Sequence, residues 1–172
     1  MKHFAAFLVV GILLFSLSAC SEAAEKPAVG DKLVNVPVTT LDGTKTTLAK
    51  LLKGRVVAFK FGTTWCGWCT KQFEEFEKAK KEYGDKVAFL DIDVNEPASK
   101  VKAHLKRHKY STPTVLDPKG KAAEKYNVQG FPTLLIAGHD ATVLLRGYYV
   151  PFEKFKPILD KAVAAAEAAK KK

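Results

Sequence analysis

The chain has 172 residues, 47% hydrophobic and 27% charged, a balance that supports one packed domain with some terminal material and excludes a disordered chain. Its 28 Lys and Arg outnumber 18 Asp and Glu for a net charge of +10, yet the lysines are scattered as solvated faces and no nucleic-acid motif accompanies them. Three cysteines are too few for a disulfide framework; two lie three positions apart and Cys20 stands by itself.

Met1-Lys2-His3 is a short positive start, Phe4 to Leu17 is an almost unbroken apolar run, and Ser18-Ala19-Cys20 follows. That order defines a secretory signal, and the run falls short of the roughly 20 apolar residues a membrane span needs. Leu17-Ser18-Ala19-Cys20 also resembles the bacterial lipobox, which implies cleavage before Cys20 and lipid on its thiol. The other reading has cleavage near Ser21-Glu22-Ala23, with Cys20 lost. The expected organisation is a signal peptide at 1–19, a lipidated flexible tether at 20–29 and one domain at 30–169. Both readings place the domain in the periplasm or cell envelope, where disulfides persist.

Val34 to Thr40 reads as a strand interrupted by Pro37, which suits a sheet edge. Asp42-Gly43 predicts a hairpin turn into a second strand at Lys45-Thr46-Thr47. Leu48 to Lys53 forms one or two helical turns that Gly54 ends. Arg55 to Phe61 is strongly apolar between glycines and reads as a central strand. Trp65-Cys66-Gly67-Trp68-Cys69 follows at once and opens a helix that runs to Tyr83. A cysteine in the first turn of a helix lies beside unpaired N–H groups and the positive end of the macrodipole. Its thiolate, the reactive form, is therefore favoured. A second cysteine three residues on shares its helix face, in reach of a short disulfide.

Cys69, Phe73, Phe76 and Tyr83 make the apolar stripe of this helix, and Glu74, Glu75, Glu77, Lys78 and Lys81 are assigned to the other faces. Val87 to Val94 is a strand. Asn95 is expected to cap a helix that Pro97 enters and that continues to about Lys109, with Val101, Leu105 and His108 inward. Thr112 to Leu116 is a strand, Asp117-Pro118-Lys119-Gly120 a turn and Ala122 to Tyr126 a short helix. Thr133–Ala137 and Ala141–Leu145 form a hairpin, and Phe152 to about Ala168 closes the chain as a helix with Phe155, Ile158, Leu159 and Val163 inward. The order predicts an α/β fold with a mixed central sheet flanked by helices.

Phe61-Gly62-Thr63-Thr64-Trp65-Cys66-Gly67-Trp68-Cys69 and Gly130-Phe131-Pro132-Thr133 together resemble the thioredoxin fold. The N-terminal hairpin and the helix–strand insertion near 95–116 make the chain similar to the TlpA-type branch, exported thiol–disulfide oxidoreductases that include the cytochrome c maturation reductases. The resemblance implies that Cys66 attacks, that Cys69 resolves and that Pro132 is cis. It implies that the Phe131 backbone pairs with an extended substrate, and it makes Trp65 and Trp68 an apolar collar around Cys66. It implies a monomer with no cofactor beyond the redox-active disulfide. Its partners would be disulfide-containing exported proteins, apocytochrome c among the candidates, and a membrane thiol electron donor.

Two departures and one further likeness stand out. Lys60 takes the place of the buried aspartate that thioredoxins carry six residues before the first cysteine, and the family's partner lysine aligns with Phe89. Lys60 is then expected to reach Asp91 or Asp93, or to snorkel to water. Gly67-Trp68 replaces the thioredoxin Gly-Pro. Val94-Asn95-Glu96 is similar to the V-G-E segment of the maturation reductases, which makes Glu96 a candidate proton acceptor for Cys69; the other reading is an acid placed at a helix start by the dipole. Two rival functions are an AhpC/TSA-type thiol peroxidase and a metal-binding chaperone of the same fold. Thr63, three residues before Cys66, suits the first but lacks the proline-led segment around it, and the second lacks a further ligand set.

Overall fold

Val56–Gly62 (β3) is buried at every position, and such a strand needs neighbours on both edges and cover on both faces. The structure, a computed structural model that describes residues 27–171, supplies them. The expected signal peptide, Cys20 and the tether as far as residue 26 lie outside the described residues. Pro37–Thr40 (β1), Lys45–Thr47 (β2), β3, Val87–Val94 (β4), Thr114–Asp117 (β5), Thr133–Ala137 (β6) and Val143–Gly147 (β7) form one sheet in the order β2-β1-β5-β4-β3-β6-β7. Pairing is parallel for β3–β4 and β4–β5 and antiparallel elsewhere.

Side-chain alternation splits the core in two. Val57, Phe59 and Phe61 of β3, with Leu90 and Ile92 of β4, pack with Leu48 and Leu52 of helix α1 (Leu48–Leu52) and Tyr126 beyond α4 (Lys121–Lys125). The Tyr126 ring meets Phe59 edge-on at 5.7 Å, and its hydroxyl donates to the Val34 carbonyl at 2.7 Å. Val56 and Ala58, with Phe89, Leu134 and Ile136, face Phe76, Ala79 and Tyr83 of α2 (Gly67–Tyr83) and Phe155 and Leu159 of α5 (Phe152–Ala169). Each such fully buried aliphatic or aromatic side chain contributes about 1.5–3 kcal/mol. Between β4 and β5 lies α3 (Ala98–His108). No helix among the described residues is long and apolar enough to cross a membrane.

The element order and the mixed sheet follow the sequence expectation, hairpin and helix–strand insertion included. Four details differ. β1 is not an edge: it lies between β2 and β5, with Pro37 at its first position, and β2 takes the edge. Asn95 does not cap α3; its φ is 59° and Pro97 is the cap residue. The inward residues of α3 are Val101 and His104, whereas His108 is exposed. Glu75 of α2 is buried rather than solvated.

Candidate active site

β3 ends at Gly62 and the chain turns through Thr63-Thr64-Trp65 into α2, so that Cys66 is the cap residue of a helix of 17 residues. Cys66 Sγ accepts the Cys69 N–H at 3.1 Å, and its carbonyl accepts Cys69 N–H at 3.0 Å and Thr70 N–H at 3.2 Å. The two cysteines are disulfide-bonded with Cα atoms 5.2 Å apart. Cys66 is 8% exposed and Cys69 only 1%. An attacking sulfur must reach a partner and a resolving sulfur need not, and burial orders the two in that sense. The helix N-terminus and its N–H donors favour negative charge on Cys66 once the bond is reduced.

Around Cys66 the surface is aromatic. Trp65 is 70% exposed and Trp68 54%. Trp65 meets the Phe131 ring edge-on at 6.4 Å, and Trp68 leans on Tyr149 at 5.2 Å. The Phe131–Pro132 bond is cis. The structure thus brings Trp65, Cys66, Trp68 and Phe131 to one recess, which Gln129 and Gly130 complete. Tyr148 and Tyr149 extend it along the other side of Trp68, and sequence reasoning missed both. Their only signal was an aromatic pair after the final hairpin.

Two inward polar residues of α2 hold that second rim. Gln72 donates to the Val150 carbonyl at 3.1 Å and accepts the Val150 N–H at 2.9 Å. Glu75 accepts the Phe152 N–H at 2.9 Å, satisfying a donor at the start of α5, and accepts the Tyr149 hydroxyl at 3.4 Å.

Glu96 is 7% exposed and closes on the loop that leads into Cys66. Its carboxylate accepts the Thr64 N–H at 2.5 Å and the Thr64 hydroxyl at 2.9 Å, and pairs with Lys100 at 2.5 Å. Burial pushes this carboxyl up, but Lys100 and the Thr64 donors outweigh it and hold the group below its usual range. Asp93, 2% exposed, hydrogen-bonds Glu96 and is pushed up to about 8 by burial and by the charges of Asp91 and Glu96. Its Oδ1 is buried without a hydrogen-bond partner.

Lys60 does not snorkel. It is 1% exposed, pairs with Asp91 and lies 4.0 Å above the centre of the Phe73 ring. The parallel register sets Lys60 opposite Asp91 and Gly62 opposite Asp93, whereas Phe89 pairs with Ala58. The cross-strand partner of Lys60 is therefore Asp91 and not the Phe89 position. Burial pushes the Asp91 carboxyl up against the pull of the Lys60 ammonium. Removing one partner of such a pair costs about 3–5 kcal/mol, because the other is left buried and uncompensated.

This arrangement suits thiol–disulfide exchange: one sulfur at a helix start beside an aromatic recess, and a second more deeply buried behind it. The family model described as the AhpC/TSA family matches residues 29–150. The chain is 31% identical over 121 residues to the thiol-disulfide oxidoreductase ResA of Bacillus thuringiensis subsp. konkukian, which covers 70% of this chain and 69% of that protein. It is 32% identical over 110 residues to the thioredoxin-like protein YneN of Bacillus subtilis, covering 62% of this chain and 64% of that relative, just under two thirds of its length. Among solved structures it is similar to the thioredoxin domain of a thiol-disulfide oxidoreductase from Bacteroides vulgatus, with a TM-score of 0.68 at 17% identity over 77% of this chain and 98% of that one. That likeness shows the thioredoxin fold.

Proposed function

The chain belongs to the AhpC/TSA family, and within it we propose that the protein is a thiol–disulfide oxidoreductase working outside the cytoplasm, on a lipid attached to Cys20, as a reductase of disulfides in exported proteins. The observation that supports this best is the Cys66–Cys69 disulfide at the start of α2, with Cys66 lining the aromatic recess and Cys69 the more deeply buried of the two residues. Cys66, as thiolate, attacks one sulfur of a partner disulfide. A bond from Cys66 to that sulfur forms, the partner's disulfide bond breaks, and its second sulfur leaves as a thiolate that takes up a proton. Cys69 then attacks Cys66 Sγ, the Cys66–Cys69 bond closes and the partner departs reduced by two electrons. Trp65, Trp68 and Phe131 contact the incoming chain, with Pro132 beside them. A membrane thiol donor returns the disulfide to the dithiol, and apocytochrome c is one candidate partner.

Replacing Cys69 by Ala stops the second step. The Cys69→Ala protein should accumulate mixed disulfides through Cys66 that a small thiol reverses, and a Cys66→Ala protein should accumulate none. Absence of any adduct, together with no reduction of a model disulfide protein such as insulin, would sink this reading. Rapid peroxide consumption by the same preparation would favour the peroxidase instead.

A further inference from the structure

The resolving sulfur has a cation at its side. A Cβ on Gly62 would lie 2.8 Å from Lys60 Nζ and 3.2 Å from Cys69 Sγ, so the ammonium and the sulfur converge on the one place along β3 that carries no side chain. Lys60 cannot turn away to water, because Asp91 holds its nitrogen and the Phe73 ring lies beneath it. Asp91 and Asp93 from β4, Glu96 from the segment before α3 and His104 from α3 also face this region. Glu96 is engaged by Thr64 and Lys100. Asp93 retains its proton at neutral pH. His104 is held below its usual value by burial, by His108 and by Lys60. Lys60 is the cation beside the sulfur, and the cross-strand pair with Asp91 aims it.

We propose that Lys60 stabilises Cys69 as a thiolate, with Asp91 as the positioning residue that orients the ammonium. The inference rests on the exchange reading, since it names what assists the second sulfur of that reaction. When the mixed disulfide resolves, Cys69 gives its proton to solvent and attacks Cys66 Sγ as a thiolate. The Cys66–Cys69 bond forms, the bond from Cys66 to the partner breaks, and the partner sulfur leaves with the electron pair and takes a proton from solvent. When a donor thiolate attacks Cys66 Sγ in the oxidised protein, Cys69 is the leaving group and carries the same charge. A cation fixed at that point lowers the cost of both steps. Thioredoxins place a carboxylate at the position of Lys60, so this chain assists its second sulfur with charge of opposite sign.

The test uses the full chain carrying Cys66→Ser, in which Cys69 stays reduced. Alkylation of Cys69 by iodoacetamide, read by mass spectrometry of its peptide, is followed across pH. Lys60→Met alone strands Asp91 and can fail to fold, so the decisive variant is Lys60→Met with Asp91→Asn, which removes both charges and keeps both side-chain volumes close to the parent's. Its Cys69 midpoint should rise by about one pH unit, leaving about tenfold less thiolate at neutral pH. A folded double variant with the parent's midpoint overturns the proposal. So does a midpoint that responds to Glu96→Gln and not to the double variant, which would assign the effect to Glu96. No disulfide partner enters this measurement. A shifted midpoint with no trapped adduct from Cys69→Ala would remove the exchange function and leave the charge effect standing.

Discussion

Asp93 shows how one buried group ties the site to the pH response of the whole fold. Its carboxyl is raised from 3.8 to about 8, first by burial and then by Asp91 and Glu96. The native state therefore binds this proton more tightly than the unfolded chain does. Its contribution to stability is complete below pH 3.8 and is lost as pH rises through about 8. Asp93→Asn keeps the shape and removes the titration. Relative to the parent, it should gain about 1–3 kcal/mol above pH 8 and little near pH 4, in paired urea titrations. A gain of the same size at both pH values would show that Asp93 does not titrate as described. Nothing in the letters Asp91-Ile92-Asp93 separates the two aspartates. Register does, by setting one opposite Lys60 and the other opposite Gly62.

At the scale of the element, α2 does three things with three faces. Its first turn carries the cysteines, Phe76, Ala79 and Tyr83 pack on the sheet, and Gln72, Glu75 and Glu77 clamp other segments. Glu77 accepts the Ser111 and Thr112 N–H groups at 2.9 and 2.7 Å, fixing the entry to β5. Glu75→Ala should lower stability by about 1–2 kcal/mol, by removing the acceptor at the start of α5. It should also loosen the Tyr149 side of the recess and slow reaction with bulky disulfide proteins more than with small ones. Comparing denaturation midpoints and both rates checks this, and unchanged stability would mean that the Glu75 contacts are replaced by water. Helical periodicity found the apolar stripe and assigned Glu75 and Glu77 to solvent, because a carboxylate on a helix is usually solvated. Their partners are 77 and 34 residues away in the chain, beyond the reach of any local pattern.

For the whole molecule, the sheet sets the site at one end of β3, and the first described residues run beside β7. Arg146 of β7 donates to the carbonyls of Pro27, Tyr126 and Asn127, pinning the first described residues to the segment that leads toward Phe131. A lipid on Cys20, as proposed, would tether this domain to a membrane. Labelled fatty acid supplied to cells should appear on the protein and vanish with Cys20→Ser; label that is absent from the unaltered chain would remove the lipid anchor from the proposed function. Resemblance to the thioredoxin fold implied the two segments that meet at the disulfide, and the sequence by itself determined the order of strands and helices and the junction that puts Cys66 and Cys69 in the first turn of a helix. Those features rest on residue period, turn chemistry and capping, which act within a few residues. Only the tertiary structure decided that β1 inserts between β2 and β5, that Tyr148 and Tyr149 line the recess, and that Lys60 pairs with Asp91 beside Cys69. Each of those is a choice among chemically equivalent candidates. Strand register and packing make that choice, and both are set by contacts between residues far apart in the chain.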